Sequence, residues 1–295
     1  MAEAGGGFVY DGRRTRAFVN ARVGNKVVVN ARGQVTVRLQ GIDAPELHYR
    51  PTFLRRAAGD LSKIARWNRS FRQPLGEAAA CALGGLVANV GVGEIACIVR
   101  TRVDHPGDTF DMYGRFIGDV FVRVGHSEIN LNHWLAQHGW AFPAFYDSMQ
   151  NDEIEALLAL CEEARHAKRG VWARVQPALR DFTFRRVFRK SETEPPPRDT
   201  GAVCMPKLFR RMATWRVLDA AELPSGSFRA FLKSKSDACY ETAAFMNGVG
   251  KRLERASLDA FVTEAGRLSV APEKLVFLEA PSSLRGKRDE LVRDW

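Results

Sequence analysis

Residues 35–46 read V-T-V-R-L-Q-G-I-D-A-P-E, a strand carrying one arginine that runs into a tight turn carrying two carboxylates. Val35, Val37 and Leu39 alternate with Thr36, Arg38 and Gln40, the period-two pattern of a strand with one face on a core. The alternation sends Arg38 to the other face, with its guanidinium on display. Gly41 and Pro45 then bend the chain, which brings Asp43 and Glu46 back toward the end of the strand that carries Arg38. Two acids and one arginine in a small volume are either a structural ion pair on a surface turn or the start of a site. The pattern alone leaves both open.

A second stretch bears on that choice. Residues 111–122, D-M-Y-G-R-F-I-G-D-V-F-V, form a β-rich run with Arg115 placed just after a glycine. Further on, a strongly amphipathic helix is expected over 152–169, with Asn151 or Asp152 as its cap and Gly170 just past its end, followed by V-W. Taken together and in this order, R-L-Q-G-I-D-A-P-E, D-M-Y-G-R and the helix ending in R-G-V-W resemble the staphylococcal nuclease family over residues 16–173. That family is a Ca²⁺-dependent phosphodiesterase. The resemblance implies an α+β chain whose first part is an OB-type five-stranded β-barrel with packed helices.

Carried over residue by residue, the resemblance makes Glu46 the general base acting through water, and Arg38 and Arg115 the phosphate clamps. Asp43 becomes the metal carboxylate, Ala44 contributes its carbonyl, and Asn25 stands where the family's first hairpin carries a metal aspartate. Phosphodiester cleavage needs an attacking hydroxide and cations against the charge gathering on the phosphoryl oxygens, so these residue types suit the task. Asn25 keeps an oxygen for Ca²⁺ but removes a negative charge, and Lys26 adds a positive one, so weak metal binding and low activity are expected. Tyr113 and Tyr146 match the family's aromatic positions around the nucleotide; Phe145 can equally be packing. Family members that have lost catalytic residues serve as nucleic-acid-binding or protein-binding modules, which is the alternative reading.

Composition is consistent with a polyanionic partner. The 295 residues hold 44 Lys and Arg against 34 Asp and Glu, a net charge of +10 that attracts DNA or RNA first and an anionic membrane surface second. No apolar run approaches the ~20 residues that a membrane-spanning helix needs. Five scattered cysteines with no C-x-x-C pattern indicate reduced thiols, and the N-terminus has no apolar signal region, so a cytoplasmic location is expected. The six histidines show no zinc-ligand spacing, and neither a phosphate-cradling glycine loop nor a Ser/His/Asp or Cys/His motif is present.

Along the chain, a meander is expected over 17–22, 26–31 and 34–42, completing the start of the barrel. Residues 47–73 carry Arg50, Arg55, Arg56, Lys63, Arg66, Arg69 and Arg72 against the single acid Asp60, with Tyr49, Phe53, Trp67 and Phe71 interleaved. This is either a nucleic-acid arm, with Arg55, Arg56, Arg66 and Arg69 on phosphates, or a helix over 52–67 packed on the barrel. Helices are expected at 74–90 and 131–138, and a strand at 94–103. The chain is expected to divide into 1–175 as the nuclease-like domain, 176–200 as a basic and Pro-rich linker, and 201–295 as a mostly α-helical module that selects a protein partner or target. Within the last unit helices are expected at 206–223, 227–235, 237–247 and 253–265, with a strand at 274–279.

Overall fold

The structure is a computed structural model that describes residues 34–51, 71–93, 95–103, 106–111, 113–175, 201–220, 226–248, 253–263 and 267–279. Short strands near both ends are described by their backbone pairing alone, among them Phe18–Val19 against Leu284–Arg285. The strands of the first half are Val37–Leu39 (β1), Ile42–Asp43 (β2), Cys97–Arg100 (β3), Phe116–Val124 (β4), Ser127–Asn130 (β5), Phe142–Pro143 (β6) and Phe145–Tyr146 (β7). They interleave with helices Gly76–Val90 (α1), Leu131–Gln137 (α2) and Asn151–His166 (α3). The second half adds helices Pro206–Ala220 (α4), Phe228–Lys235 (α5) and Thr242–Asn247 (α6), with strands Ala238–Glu241 (β8), Ala256–Ser257 (β9) and Leu275–Phe277 (β10).

β4 is the hub of the first sheet. It takes β1 in parallel, Val37 opposite Phe116 and Leu39 opposite Gly118, and takes β3 and β5 antiparallel. The hairpin to β5 turns at Gly125, whose φ of 60° suits a residue without a Cβ. β2 pairs with β6, Asp43 opposite Phe142, so the turn after β1 is held from both sides. The result is a mixed α+β fold. The five-stranded barrel expected from the sequence does not close among the described residues; residues 20–33, expected to supply much of its first two strands, lie outside them.

Residues 201–279, expected as a separate helical module, share a sheet and a core with what precedes the linker. β7 pairs in parallel with β10, which continues antiparallel to β8 and then β9. The core around α3 holds Ile42, Phe142, Phe145, Ile154, Leu157 and Trp172, and it also holds Val203 and Val276. The core around α4 holds Leu208, Phe209, Met212 and Phe231, together with Phe71. The physical reason is the apolar spacing of α4: Leu208, Phe209, Met212, Ala213 and Val217 make a buried stripe that needs a partner surface.

The same packing corrects local expectations. The helix expected at 237–247 is divided into β8 and α6, because Cys239 and Tyr240 pair with Phe277 and Val276. The helix expected at 253–265 is β9 followed by a 3₁₀ turn at Leu258–Phe261, since Ala256 pairs with Cys239 and Leu258 is fully buried. The cap of α3 is Gln150, one residue before the expected pair, and its backbone N–H donates to the Glu153 carboxylate at 3.0 Å. All five cysteines are free; burial pushes the Cys161 thiol up to about 12 and the Cys239 thiol up to about 11, which suits inert core thiols. No helix among the described residues is long and apolar enough to cross a membrane.

Phe145 is fully buried on β7, at the seam between the two halves. Phe145→Ala is expected to lower stability by about 3–5 kcal/mol in urea unfolding of the full chain. A chain ending at Lys190 loses Val203, Val276 and the strand partner of β7, and it is expected to show no cooperative unfolding transition by near-UV circular dichroism.

Candidate active site

The site grows from the turn after β1. Gly41 has φ 73°, and a Cβ there would stand 2.3 Å from Leu157 Cδ1 and 2.8 Å from Met149 Cε, so both the backbone conformation and the space require glycine. Fully buried Asn132 locks the turn from below: its Nδ2 donates to the Gln40 carbonyl at 2.9 Å and to the Gly118 carbonyl at 3.2 Å. The chain leaves this turn as β2, which delivers Asp43. Three residues on, Glu46 is held by its own backbone. Its N–H donates to Gln73 Oε1 at 3.1 Å, and the Gln73 N–H donates to the Glu46 carbonyl at 2.7 Å. Gln73 is itself fully buried and donates from Nε2 to the Cys204 carbonyl at 2.8 Å, which ties the backbone of Glu46 to the second half of the chain.

Arg115 is aimed by a turn built around Asp111. The buried Asp111 carboxylate accepts from the Tyr113 N–H at 2.9 Å and the Arg115 N–H at 3.0 Å through Oδ1, and from Arg115 Nε at 2.6 Å through Oδ2. Gly114 completes the turn with φ 78°. Burial raises the Glu46 pKa, and Arg115 is close enough to oppose that rise; Asp111, which binds Arg115, is also close enough to Arg38 to add to the rise of its pKa. Asp111 thus links the two arginines, and Arg115 acts on Glu46.

Arg38 is not on display as the strand pattern alone suggests. Its side chain is only 20% exposed, Nη1 donates to Glu279 Oε1 at 2.9 Å, and Cζ lies 4.3 Å from the centre of the Tyr146 ring. Burial pulls the Arg38 pKa down, but Tyr146 and Glu279 outweigh it and the net shift is upward. Glu279 is in turn anchored by its backbone N–H, which donates to Asp147 Oδ1 at 2.7 Å. β7 and the residues after β10 thus cover the face that β1 turns outward.

The second carboxylate contact is the larger surprise. From α4, Arg210 Nη2 donates to Asp43 Oδ2 at 2.9 Å, and Nη1 makes a short hydrogen bond to Glu46 Oε1. Lys207, Arg210 and Thr214 lie on one face of α4 at helical spacing. Lys207 Nζ sits 4.2 Å over the Phe277 ring, and the Thr214 hydroxyl is 2.7 Å from the Tyr49 hydroxyl. Burial drives the Glu46 pKa up against the opposing pull of Arg210, leaving a net rise; burial lowers Arg210, and Asp43 and Glu46 more than reverse it.

Of the residues assigned from sequence, Arg38, Asp43, Glu46, Arg115 and Tyr146 come together. Exposed Tyr113 stands at the rim, 5.5 Å from the Arg115 guanidinium, and Ala44 is exposed in the turn. Phe145 is core. Asn25, Arg55, Arg56, Arg66 and Arg69 lie outside the described residues. Arg72, counted with the basic arm, is instead buried and paired with buried Glu77. Sequence reasoning missed Arg210, Glu279, Asp111, Gln73 and Asn132. Only the polar face of α4 left a trace, as Lys207, Arg210 and Thr214 at helical spacing opposite the apolar stripe.

The Ca²⁺ expected at Asp43, Ala44 and Asn25 does not fit this arrangement. The Asp43 carboxylate and its neighbour Glu46 already face one fixed guanidinium, and the described residues hold no group of three or more acidic, His or Cys side chains suited to a metal. Residues 36–174 match the family described as staphylococcal nuclease homologue. No curated protein matches the chain. Because three hydrogen bonds converge on Asp111 at the heart of the Arg115 turn, Asp111→Ala is expected to cost about 2–3 kcal/mol in urea unfolding.

Proposed function

We propose that this chain hydrolyses phosphodiester bonds of DNA or RNA, a reading supported by the match of residues 36–174 to the family described as staphylococcal nuclease homologue. The observation that carries the reading is the placement of Arg38 on β1 and Glu46 after the turn that follows it, with Arg115 acting on the charge of Glu46 and Asp111, bound to Arg115, acting on the charge of Arg38. Glu46 takes a proton from a water molecule, the oxygen so formed attacks phosphorus, and the bond to the leaving oxygen breaks. Arg38 and Arg115 donate N–H groups to the phosphoryl oxygens as negative charge gathers on them. Phosphate displaces Glu279 from Arg38 on entry. Ca²⁺ is the ion that the family resemblance implies for neutralising that charge, but its expected place at Asp43, the Ala44 carbonyl and Asn25 does not suit it while Arg210 holds Asp43 and Glu46.

The raised pKa of Glu46 supports its role as a base, because a carboxylate freed from deep stabilisation accepts a proton more readily. Gln73 keeps its backbone in place, and Asp111 keeps Arg115 in place. The basic stretch beginning at Arg50 leaves and re-enters beside this site: the Tyr49 N–H donates to the Phe71 carbonyl at 3.0 Å, and the Phe71 N–H donates back at 2.6 Å. Tyr49 and Phe71 bracket that stretch, whose Arg55, Arg56, Arg66 and Arg69 we assign to phosphate contacts. The alternative reading, a binding module, draws support from one observation. Arg210 and Glu279 already satisfy the carboxylates and Arg38, as they would in a site that only docks a strand.

Cleavage of labelled single-stranded DNA and RNA, in Ca²⁺ and in EDTA, separates the two readings. The wild type is expected to cut, and Glu46→Ala to lower the rate by ~10²–10⁴-fold with binding retained; binding without cutting by the wild type establishes the module. For the basic stretch, replacing Arg55, Arg56, Arg66 and Arg69 by Ala together is expected to flatten the slope of log affinity against log salt by about 3 units. An unchanged slope assigns that stretch to packing.

A further inference from the structure

We propose that Arg210 is the resident cation of this site, held between Asp43 and Glu46 where a divalent ion would have to sit, so that the domain works without Ca²⁺. The inference rests on the nuclease reading and deepens it by naming the group that replaces the metal. Its first support is geometric: one guanidinium spans both carboxylates, with Nη2 2.9 Å from Asp43 Oδ2 and Nη1 on Glu46 Oε1. A divalent ion placed between the two carboxylates would need the volume that the Arg210 guanidinium fills and would lie against its positive charge. Arg210 and a metal at that place compete.

The second support is that Arg210 is held in place by the fold. Thr214, one turn on, donates its hydroxyl to the Arg210 carbonyl at 2.9 Å and meets the Tyr49 hydroxyl across the interface at 2.7 Å. The neighbouring Arg211 anchors the same turn of α4 through two 2.6 Å bonds to Asp237. The apolar side of α4 is fully buried at Met212, Ala213 and Val217. Arg210 is thus delivered by a rigid element and bridges two anions as a planar donor fork does, which a lysine cannot.

The third support is chemical economy at the site. A divalent ion in such a domain offsets the charge of the carboxylates and of the phosphoryl group. Arg210, Arg38 and Arg115 face the four acids Asp43, Glu46, Glu279 and Asp111, so most of the negative charge of the site is offset without any metal. Arg210 lies outside residues 36–174, so this cation comes from a part of the chain that the family match does not cover.

The test is a calorimetric titration of the full chain with CaCl₂, read beside cleavage in EDTA. The wild type is expected to show no Ca²⁺ binding that depends on Asp43, and its cleavage to be equal in Ca²⁺ and in EDTA. Arg210→Gln is expected to bind Ca²⁺ at least about tenfold more tightly than the wild type, and to lose cleavage in EDTA. Wild-type Ca²⁺ binding that Asp43→Asn abolishes would overturn the proposal, as would equal Ca²⁺ affinity in wild type and Arg210→Gln. Should Arg210→Gln fail to fold, Arg210→Met replaces it, with the same gain in Ca²⁺ affinity expected because the cation is removed while the apolar stem is kept. A chain that cuts nothing in any condition, yet gains Ca²⁺ binding only when Arg210 is replaced, keeps this inference and removes the nuclease reading.

Discussion

A guanidinium that is taken largely out of water must be given anions, and two carboxylates set three residues apart must be given a cation. Arg210 with Asp43 and Glu46 satisfies both requirements at one place. The arrangement joins the turn that carries the candidate chemistry to a helix that begins more than 150 residues later, so the two halves of the chain are matched by charge as well as by apolar surface. Removing Arg210 leaves two carboxylates without their cation in a part-buried setting, which is far more costly than loss of an exposed surface pair.

The same reciprocity repeats at Arg38 with signs exchanged. Arg38 comes from the first half and Glu279 from the second, again at 2.9 Å, over the face of Tyr146. The second half therefore presents a cation to the acids of the site and an acid to its arginine. Such complementarity fixes the docking of α4 and β10 in register, because a slip along β7 would face like charges against each other. It also explains why the parallel pairing of β7 with β10, only two residues long, is sufficient. The strand pair sets direction, the ion pairs set register, and the buried Phe145, Val203 and Val276 supply the apolar burial.

Around this interface the groups that aim the catalytic candidates are neutral or fully paired. Gln73 grips the backbone of Glu46 while reaching across to Cys204, Asn132 pins the end of β1 to β4, and Asp111 shapes the turn before Arg115. Each is buried to within a few per cent and each has its hydrogen bonds made, so the reactive side chains stand on a frame that has little freedom to shift. The candidate site is rigid at its base and exposed at its rim, where Tyr113 stands free of the core.

By itself the sequence determined what local pattern can determine. The alternation through residues 35–40 gives β1, Gly41 gives the turn, and the apolar spacing after Asn151 gives α3, while the roles proposed for Arg38, Asp43, Glu46 and Arg115 come from the resemblance of their stretches to the nuclease family. These are signals of period, turn chemistry and residue type within a dozen positions, and they survive without knowledge of the partner surface. Helices expected at 237–247 and 253–265 failed for the opposite reason: pairing of β8 with β9 and β10 outweighed local propensity. Tertiary structure alone decided that Arg38 would be covered by Glu279, that Gln73 would hold Glu46, and that Arg210 would lie between Asp43 and Glu46. Those contacts join residues 27 to 241 positions apart, and a charge at such a distance carries no mark in the sequence of the charge it will meet.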